Sequence, residues 1–465
     1  MSVASVVRKM WEVSRAERLD PEQVQTLRRR RLQKLLRYVL AHSRFYAEYY
    51  RAHGITAGVL DEVRLTDLPP VNKDMVMANF DELVCDPALT QASAGEFLAD
   101  PAHGNARYRG GHRIVHTSGS TGAPAIFVYG RWDWDLLQAL VGTRVLRYRL
   151  TVGRIRCAFI VKTDGLYGGI TLCQGAPGIA FRRLALSIQA PLEQTLAEVQ
   201  RFQPHLLGGY GSALYILARR QLAGQIRIKP ARVISSGEPL TEEMTQTLAT
   251  AFGVMPTDFY AASESLALGA SCPYHQGIHL FDDWHGIELV DPAGRPVGPG
   301  RSGRVVLTNL YNYTLPLIRY EMNDEVVPAA GPCPCGWPFP LVRQIAGRTE
   351  ETLWFDRPDG TKEYLHPGLI IGLHLPGAQG WQLVQTTPRE LLLRFTATHD
   401  AETVARRARA ELTALLHGKR LDRFITARVE LVNEIRSDPH TGKRRLVIPY
   451  DRACHGAAAV APARE

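Results

Sequence analysis

The chain has 465 residues, long enough for two domains, and its 45% hydrophobic and 22% charged composition is that of an ordinary globular protein. No apolar run reaches the length of a bilayer span, and the seven cysteines, odd in number, lack the spacing of a disulfide framework. The net charge of +9 raises the question of a nucleic-acid surface, but no nucleic-acid motif accompanies it.

The N-terminal stretch meets Arg8 and Lys9 early, so no secretory signal is expected and a cytoplasmic location is. The run Arg28 to Arg31 lies in a segment where Val24, Leu27, Leu35, Leu36, Val39 and Leu40 recur at helical spacing. It reads as an amphipathic helix with a solvated basic side, without a nucleic-acid or membrane partner. Residues 1 to about 100 are mainly helix and loop, with "LTDLPPVNKDMV" as a proline-interrupted connection.

From Arg113 onward short apolar runs alternate with helical patterns. "RIVHT", "IRCAFIV", "HLLGGY", "ARVISSG", "TDFYAA" and "GRVVLTNL" predict strands, while "PLEQTLAEVQRF" and "TEEMTQTLATAF" predict helices, the second capped by Thr241. This alternation predicts an α/β fold: a large N-terminal domain, residues 1–346, with mostly parallel sheets and flanking helices. Near Gly347 the pattern becomes a hairpin-like "LWFDRPDGTKEYL", a strand "LLLRFTA", a helix "AETVARRARAELTALL" and a strand "ARVELVNEI". That predicts a small α+β C-terminal domain, residues 347–465, ending in an alanine-rich tail that reads as disordered.

"HTSGSTGAP", His116 to Pro124, follows the first of these strands. Glycines there let backbone approach an anion, and the hydroxyls and N–H groups can donate to phosphate oxygens. The run is neither a Walker A loop nor a nucleophile elbow. Downstream, in order, stand "SSGEPLTEE", "FYAASES", "LPLIRYEMNDEV", "AGRTEET" and "DPHTGKRRLVI". The ordered set resembles the adenylate-forming superfamily, most closely its phenylacetate–CoA ligase-like branch, over nearly the whole chain.

The resemblance implies ATP- and Mg2+-dependent activation of a small-molecule carboxylic acid, aryl or otherwise compact, to an acyl adenylate. The acyl group then passes to an acceptor, CoA or another thiol; an amine acceptor or transfer of AMP itself is the alternative. It implies that Thr117, Ser118, Gly119, Ser120, Thr121 and Gly122 hold the β- and γ-phosphates. Gly237, Glu238 and Pro239 match the turn beside adenine, and Tyr260, with Ala261 and Ser263 in the same motif, the residue stacked on it. Glu264 matches the magnesium ligand, an oxygen donor suited to a hard cation. Asp324 and Arg348 match the ribose contacts, and Glu350 falls at the hinge. Lys443 matches the lysine that a mobile C-terminal domain delivers to the reacting carboxylate and α-phosphate. Arg319 is read as a structural ion pair.

The chain departs from the pattern in places. Ala125 stands where many members carry lysine, Ala261 replaces a glycine, and an Asp-Gly hairpin after Glu351 replaces the loop that lines the pantetheine tunnel. "KTDGLYGGI" and "LLGGYGSALYILA" fall at acid-pocket positions, with Tyr167, Tyr210 and Gly211 as lining candidates. Cys272, His279, Cys333 and Cys335 can furnish a closed tetrahedral site, with His275 competing for the histidine position, and the same segment resembles a structural zinc site of the branch. Cys85, Cys157, Cys173 and Cys454 read as packing or surface thiols.

Overall fold

A computed structural model describes residues 3–100, 106–117, 124–147, 154–238, 240–345, 353–365, 369–370, 373, 375–397, 399–435 and 446–450. The chain divides into two compact units: Met1–Thr117, Ala125–Ala185 and Val199–Arg348 make the first, while Leu186–Glu198 and Thr349–Glu465 belong to the second. No helix among the described residues is long and apolar enough to cross a membrane.

In the N-terminal part of the first unit, Asp20 caps the helix Pro21–His42. Its carboxylate accepts from the Gln23 N–H, and the Gln23 side chain accepts from the Asp20 N–H. Val24, Leu32, Leu35, Leu36 and Val39 form the buried stripe of that helix. The arginine run is partly spent on intramolecular partners. Arg28 donates to both carboxylate oxygens of Asp282 at 2.7 and 2.6 Å. Arg31 donates to the Asp283 carbonyl and lies 3.2 Å over the Trp284 ring. The fully buried Arg144 grips the Asp283 carboxylate at 2.7 and 2.9 Å. Burial alone would raise the Asp283 pKa, but Arg144 and Arg31 outweigh it and hold this carboxyl below its usual range.

A hairpin of β1 (Arg113–His116) and β2 (Ile126–Tyr129) precedes the main sheet. That sheet is built from β3 (Ile155–Val161), β4 (Phe181–Ser187), β5 (Leu206–Gly209), β6 (Arg232–Ser236), β7 (Thr257–Ala262), β8 (Ser265–Ser271), β9 (Ile278–Leu280), β10 (His285–Val290), β11 (Gly303–Asn309), β12 (Tyr320–Pro328) and β13 (Leu341–Ile345). Their order is β10-β11-β12-β13-β9-β8-β7-β6-β5-β3-β4. Thr241 caps the helix Glu242–Phe252 between β6 and β7, its hydroxyl accepting from the Met244 N–H. The architecture is α/β, and the expected parallel pairing holds from β3 through β5 and β6 to β7. From β7 to β10 every pairing is antiparallel. The change of direction is enforced locally: only Ser263 and Glu264 separate β7 from β8, and a two-residue connection can join only antiparallel neighbours.

The second unit has its own core. β14 (Leu353–Asp356) and β15 (Lys362–Leu365) form the Asp-Gly hairpin read from the sequence. β16 (Gly380–Thr387), β17 (Glu390–Thr396), β18 (Thr426–Leu431) and β19 (Val447–Ile448) form a sheet in the order β18-β17-β16-β19. The helix Ala401–Gly418, capped by Asp400, buries Val404, Ala408, Leu412 and Leu416, one face at four-residue spacing. A buried ionic cluster joins Leu186–Glu198 to this unit. Lys419 Nζ donates to Glu363 Oε1 (3.3 Å) and to the Ala190 carbonyl (3.0 Å). Glu363 Oε2 accepts from Arg357 (2.8 Å) and from the Leu192 N–H (3.1 Å).

Candidate active site

Glu264 is presented by the two-residue turn between β7 and β8, and three side chains hold that turn in place. The Tyr129 hydroxyl donates to the Ser263 carbonyl at 2.7 Å, and Asn309 Nδ2 to the Glu264 carbonyl at 3.3 Å. The Tyr320 hydroxyl reaches the carboxylate itself, 3.4 Å from Glu264 Oε1. The carboxylate is half-buried, with Tyr320 buried behind it. Burial, reinforced by Glu264, raises the Tyr320 pKa, so this phenol remains a donor.

Tyr320 and Asp324 both lie on β12, four positions apart, with an irregularity in its pairing to β11 between them. Tyr320 meets Glu264, while Asp324 Oδ2 accepts a 2.8 Å hydrogen bond from the Tyr260 hydroxyl on β7. Burial, and next the Asp324 charge, push the Tyr260 phenol well above its ordinary pKa. Two side-chain pairs, Glu264 with Tyr320 and Tyr260 with Asp324, thus join these two stretches of chain. Ala261 and Ser263 are half-buried beside them. Tyr320 and Tyr129 went unassigned in the sequence; for Tyr320 the available signal was its place in the same motif as Asp324.

At the mouth of the glycine-serine-threonine loop, Thr117 and Ala125 close a reciprocal pair. The Thr117 N–H donates to the Ala125 carbonyl, and Thr117 Oγ1 accepts from the Ala125 N–H, both at 3.0 Å. Ser118, Gly119, Ser120, Thr121 and Gly122 lie outside the described residues, as do Pro239, Arg348, Glu350 and Lys443. Gly237 follows β6 with φ +82°, and a Cβ there would stand 2.9 Å from the Tyr210 ring, so only glycine fits. Glu238 turns back to the helix Gly211–Leu222, its Oε2 accepting from the Ser212 N–H at 2.8 Å. Arg319 forms a two-point ion pair with Glu288 at 2.9 and 3.0 Å, apart from Asp324 in its role.

The four candidate metal ligands converge. One ligand atom each from Cys272, His279, Cys333 and Cys335 lies within 4.8 Å of all the others. Cys272 and Cys333 sulfurs are 3.5 Å apart, and Cys335 Sγ is 3.4 Å from His279 Nε2. A tetrahedron with thiolate arms of ~2.3 Å has edges of ~3.8 Å, so the set suits a small tetrahedral cation. His279 sits on β9 with Nδ1 bonded to the Phe339 carbonyl at 3.0 Å, which turns Nε2 toward the thiols. His275 lies in the preceding turn and is not among the four. By contrast Cys85, Cys157 and Cys173 are buried thiols pushed up to about 12 by burial, as packing residues are.

No protein-family model matches the chain. It is 26% identical over 252 residues to a phenylacetate–coenzyme A ligase of Thermus thermophilus, covering 52% of this chain and 55% of that one. A phenylacetate–coenzyme A ligase of Pseudomonas putida matches with the same identity and coverage, so the alignment spans about half the length of these relatives. Protein CapK of Staphylococcus aureus is 20% identical over 452 residues, covering 91% of this chain and 88% of that one. Among solved structures, 2-hydroxyisobutyryl-CoA ligase with 2-HIB-AMP and CoA superposes with a TM-score of 0.61 at 22% identity, covering 96% of this chain and 93% of that one. The fold is that of the adenylate-forming enzymes. In sequence the chain is similar to phenylacetate–coenzyme A ligases, as its ordered motifs implied.

Proposed function

We propose that the protein is an ATP-dependent acid ligase that activates a compact carboxylic acid as its acyl adenylate and transfers the acyl group to a thiol, CoA foremost. The acid's carboxylate oxygen attacks the α-phosphorus, and the bond to the departing pyrophosphate breaks. In the second step the thiol sulfur attacks the acyl carbon, and AMP leaves. The observation that carries this reading is the Tyr260–Asp324 hydrogen bond beside Glu264, which joins separate motifs of the superfamily into one constellation.

In this reading Tyr260 and the Gly237–Glu238 turn receive adenine, Asp324 and Arg348 the ribose, and Thr117 with residues 118–122 the outer phosphates. Glu264, held by Tyr320, would bind Mg2+, which when present offsets phosphate charge. Lys443 bridges the acid and the α-phosphate as charge shifts between them, carried by a C-terminal domain beginning near residue 347 and hinged at Glu350. Cys272, His279, Cys333 and Cys335 hold a structural Zn2+, since four protein ligands leave no open position.

Pyrophosphate release over a panel of aryl and aliphatic acids, with and without CoA, tests the reading. Acid-dependent release that Lys443→Ala abolishes is expected. No release with any acid, or full activity of Lys443→Ala, overturns it.

A further inference from the structure

Open α/β sheets bind ligands at the carboxyl ends of their parallel strands. Here β5 is followed by Tyr210, β6 by Gly237 and Glu238, and β7 by the turn carrying Glu264. The parallel neighbour β3 is followed by Lys162, which is buried, at 6% exposure. A buried ammonium is costly without a counter-charge, yet among the described residues Lys162 forms no ion pair. Its ammonium donates to the Tyr167 hydroxyl at 3.0 Å and lies 4.6 Å from the ring of the same tyrosine.

The surroundings are shaped around this group. The Tyr167 ring packs on His116 at 4.4 Å between centroids. His116 Nδ1 bonds the Thr117 carbonyl at 3.0 Å, leaving Nε2 as an acceptor beside Gly165. Gly165 has φ +112°, and a Cβ there would stand 3.1 Å from His116 Nε2, so glycine keeps that edge open. Burial, helped by Lys162, lowers the His116 pKa and keeps the ring neutral near pH 7. His116 also adjoins Thr117, at the mouth of the loop assigned to phosphate.

We propose that Lys162, Tyr167 and His116 form a subsite for an oxygen-bearing substituent of the acid. The substrate class is then a compact acid carrying a second carboxylate or a hydroxyl besides the carboxylate that is activated. Lys162 and the Tyr167 O–H donate to that oxygen, and His116 Nε2 accepts from it when it bears a proton. The proposal rests on the adenylation reading above and narrows it.

The test measures kcat/KM for pyrophosphate release with size-matched trios: a hydrocarbon acid, its hydroxylated analogue and the corresponding dicarboxylate. The oxygenated acids should exceed the hydrocarbon acid by ~10- to 100-fold, the range of one hydrogen bond to a charged group. Lys162→Met should collapse that ratio, and Tyr167→Phe, which retains the ring, should reduce it in the same direction. A hydrocarbon acid as good as its oxygenated analogues, or a ratio unchanged in both variants, overturns the subsite and leaves adenylation standing. A Lys162→Met effect confined to the KM for ATP, equal with every acid, assigns the lysine to the triphosphate and also overturns it. Absence of pyrophosphate release with every acid removes the adenylation reading itself, and the subsite with it.

Discussion

The Tyr260 hydroxyl donates a 2.8 Å hydrogen bond to the carboxylate of Asp324, a residue 64 positions later in the chain. A side chain proposed to face adenine and one proposed to hold the ribose are thereby fixed against each other, before any nucleotide arrives. A hydrogen bond to a charged acceptor contributes about 1.5–3 kcal/mol. Tyr260→Phe is therefore expected to weaken ATP binding by about tenfold or more, with Asp324→Ala costing more. Titration of a non-hydrolysable ATP analogue measures this, and unaltered affinity in both variants would remove the pair from the nucleotide site.

The Cys272, His279, Cys333 and Cys335 cluster ties β8 and β9 to the segment between β12 and β13. One equivalent of zinc per chain is expected by elemental analysis of purified protein. Metal bound only by the folded state stabilises it by about 3 kcal/mol at a hundredfold excess over Kd. Cys335→Ser should lose the metal and lower the unfolding midpoint. Affinity should also fall with acid, as protons compete for thiolates and imidazole. A metal-free wild-type protein with the stability of Cys335→Ser would defeat the assignment.

His285 is fully buried. Nδ1 bonds the Phe281 carbonyl at 2.8 Å, and Nε2 accepts from the Ser265 hydroxyl at 2.8 Å. Burial pushes its pKa down to about 4. The unfolded chain takes up a proton near pH 6.5 that the folded chain refuses until about pH 4. Its contribution is thus complete above pH 6.5 and is lost as pH falls toward 4, amounting to about 3 kcal/mol. Urea midpoints at pH 7 and pH 4.5 should differ more for the wild type than for His285→Gln; an equal difference in both would refute the linkage.

Glu363 balances two cations in the second unit, Lys419 and Arg357, and both Glu363 and Lys419 are buried. Glu363→Gln leaves Lys419 without its counter-charge, a change that costs about 3–5 kcal/mol. It also weakens the hold on Ala190 and Leu192, whose backbone groups bond to this cluster. Hydrogen exchange should quicken around residues 190–192 and 419 in the variant. Protection equal to the wild type at both places would show that the cluster is not what anchors Leu186–Glu198.

Local physics made much of the chain readable. The spacing of Val24, Leu35, Leu36 and Val39, the Thr241 cap, the Asp-Gly turn after β14 and the order of the motifs each depend on neighbours within a few residues. Such signals survive in a linear string because helix periodicity, capping and turn chemistry act over one or two turns of backbone. Sheet direction and side-chain partnership do not. The antiparallel half of the sheet, the choice of His279 over His275, and the use of Arg28 and Arg31 on Asp282 and Asp283 all join residues distant in sequence. So do the meeting of Tyr320 with Glu264 and of Tyr260 with Asp324. Which groups the protein carries, and in what order, is written in the chain. Which of them touch is settled in the folded molecule, because long-range pairing is set by the collective packing of a whole sheet and no local stretch encodes it alone.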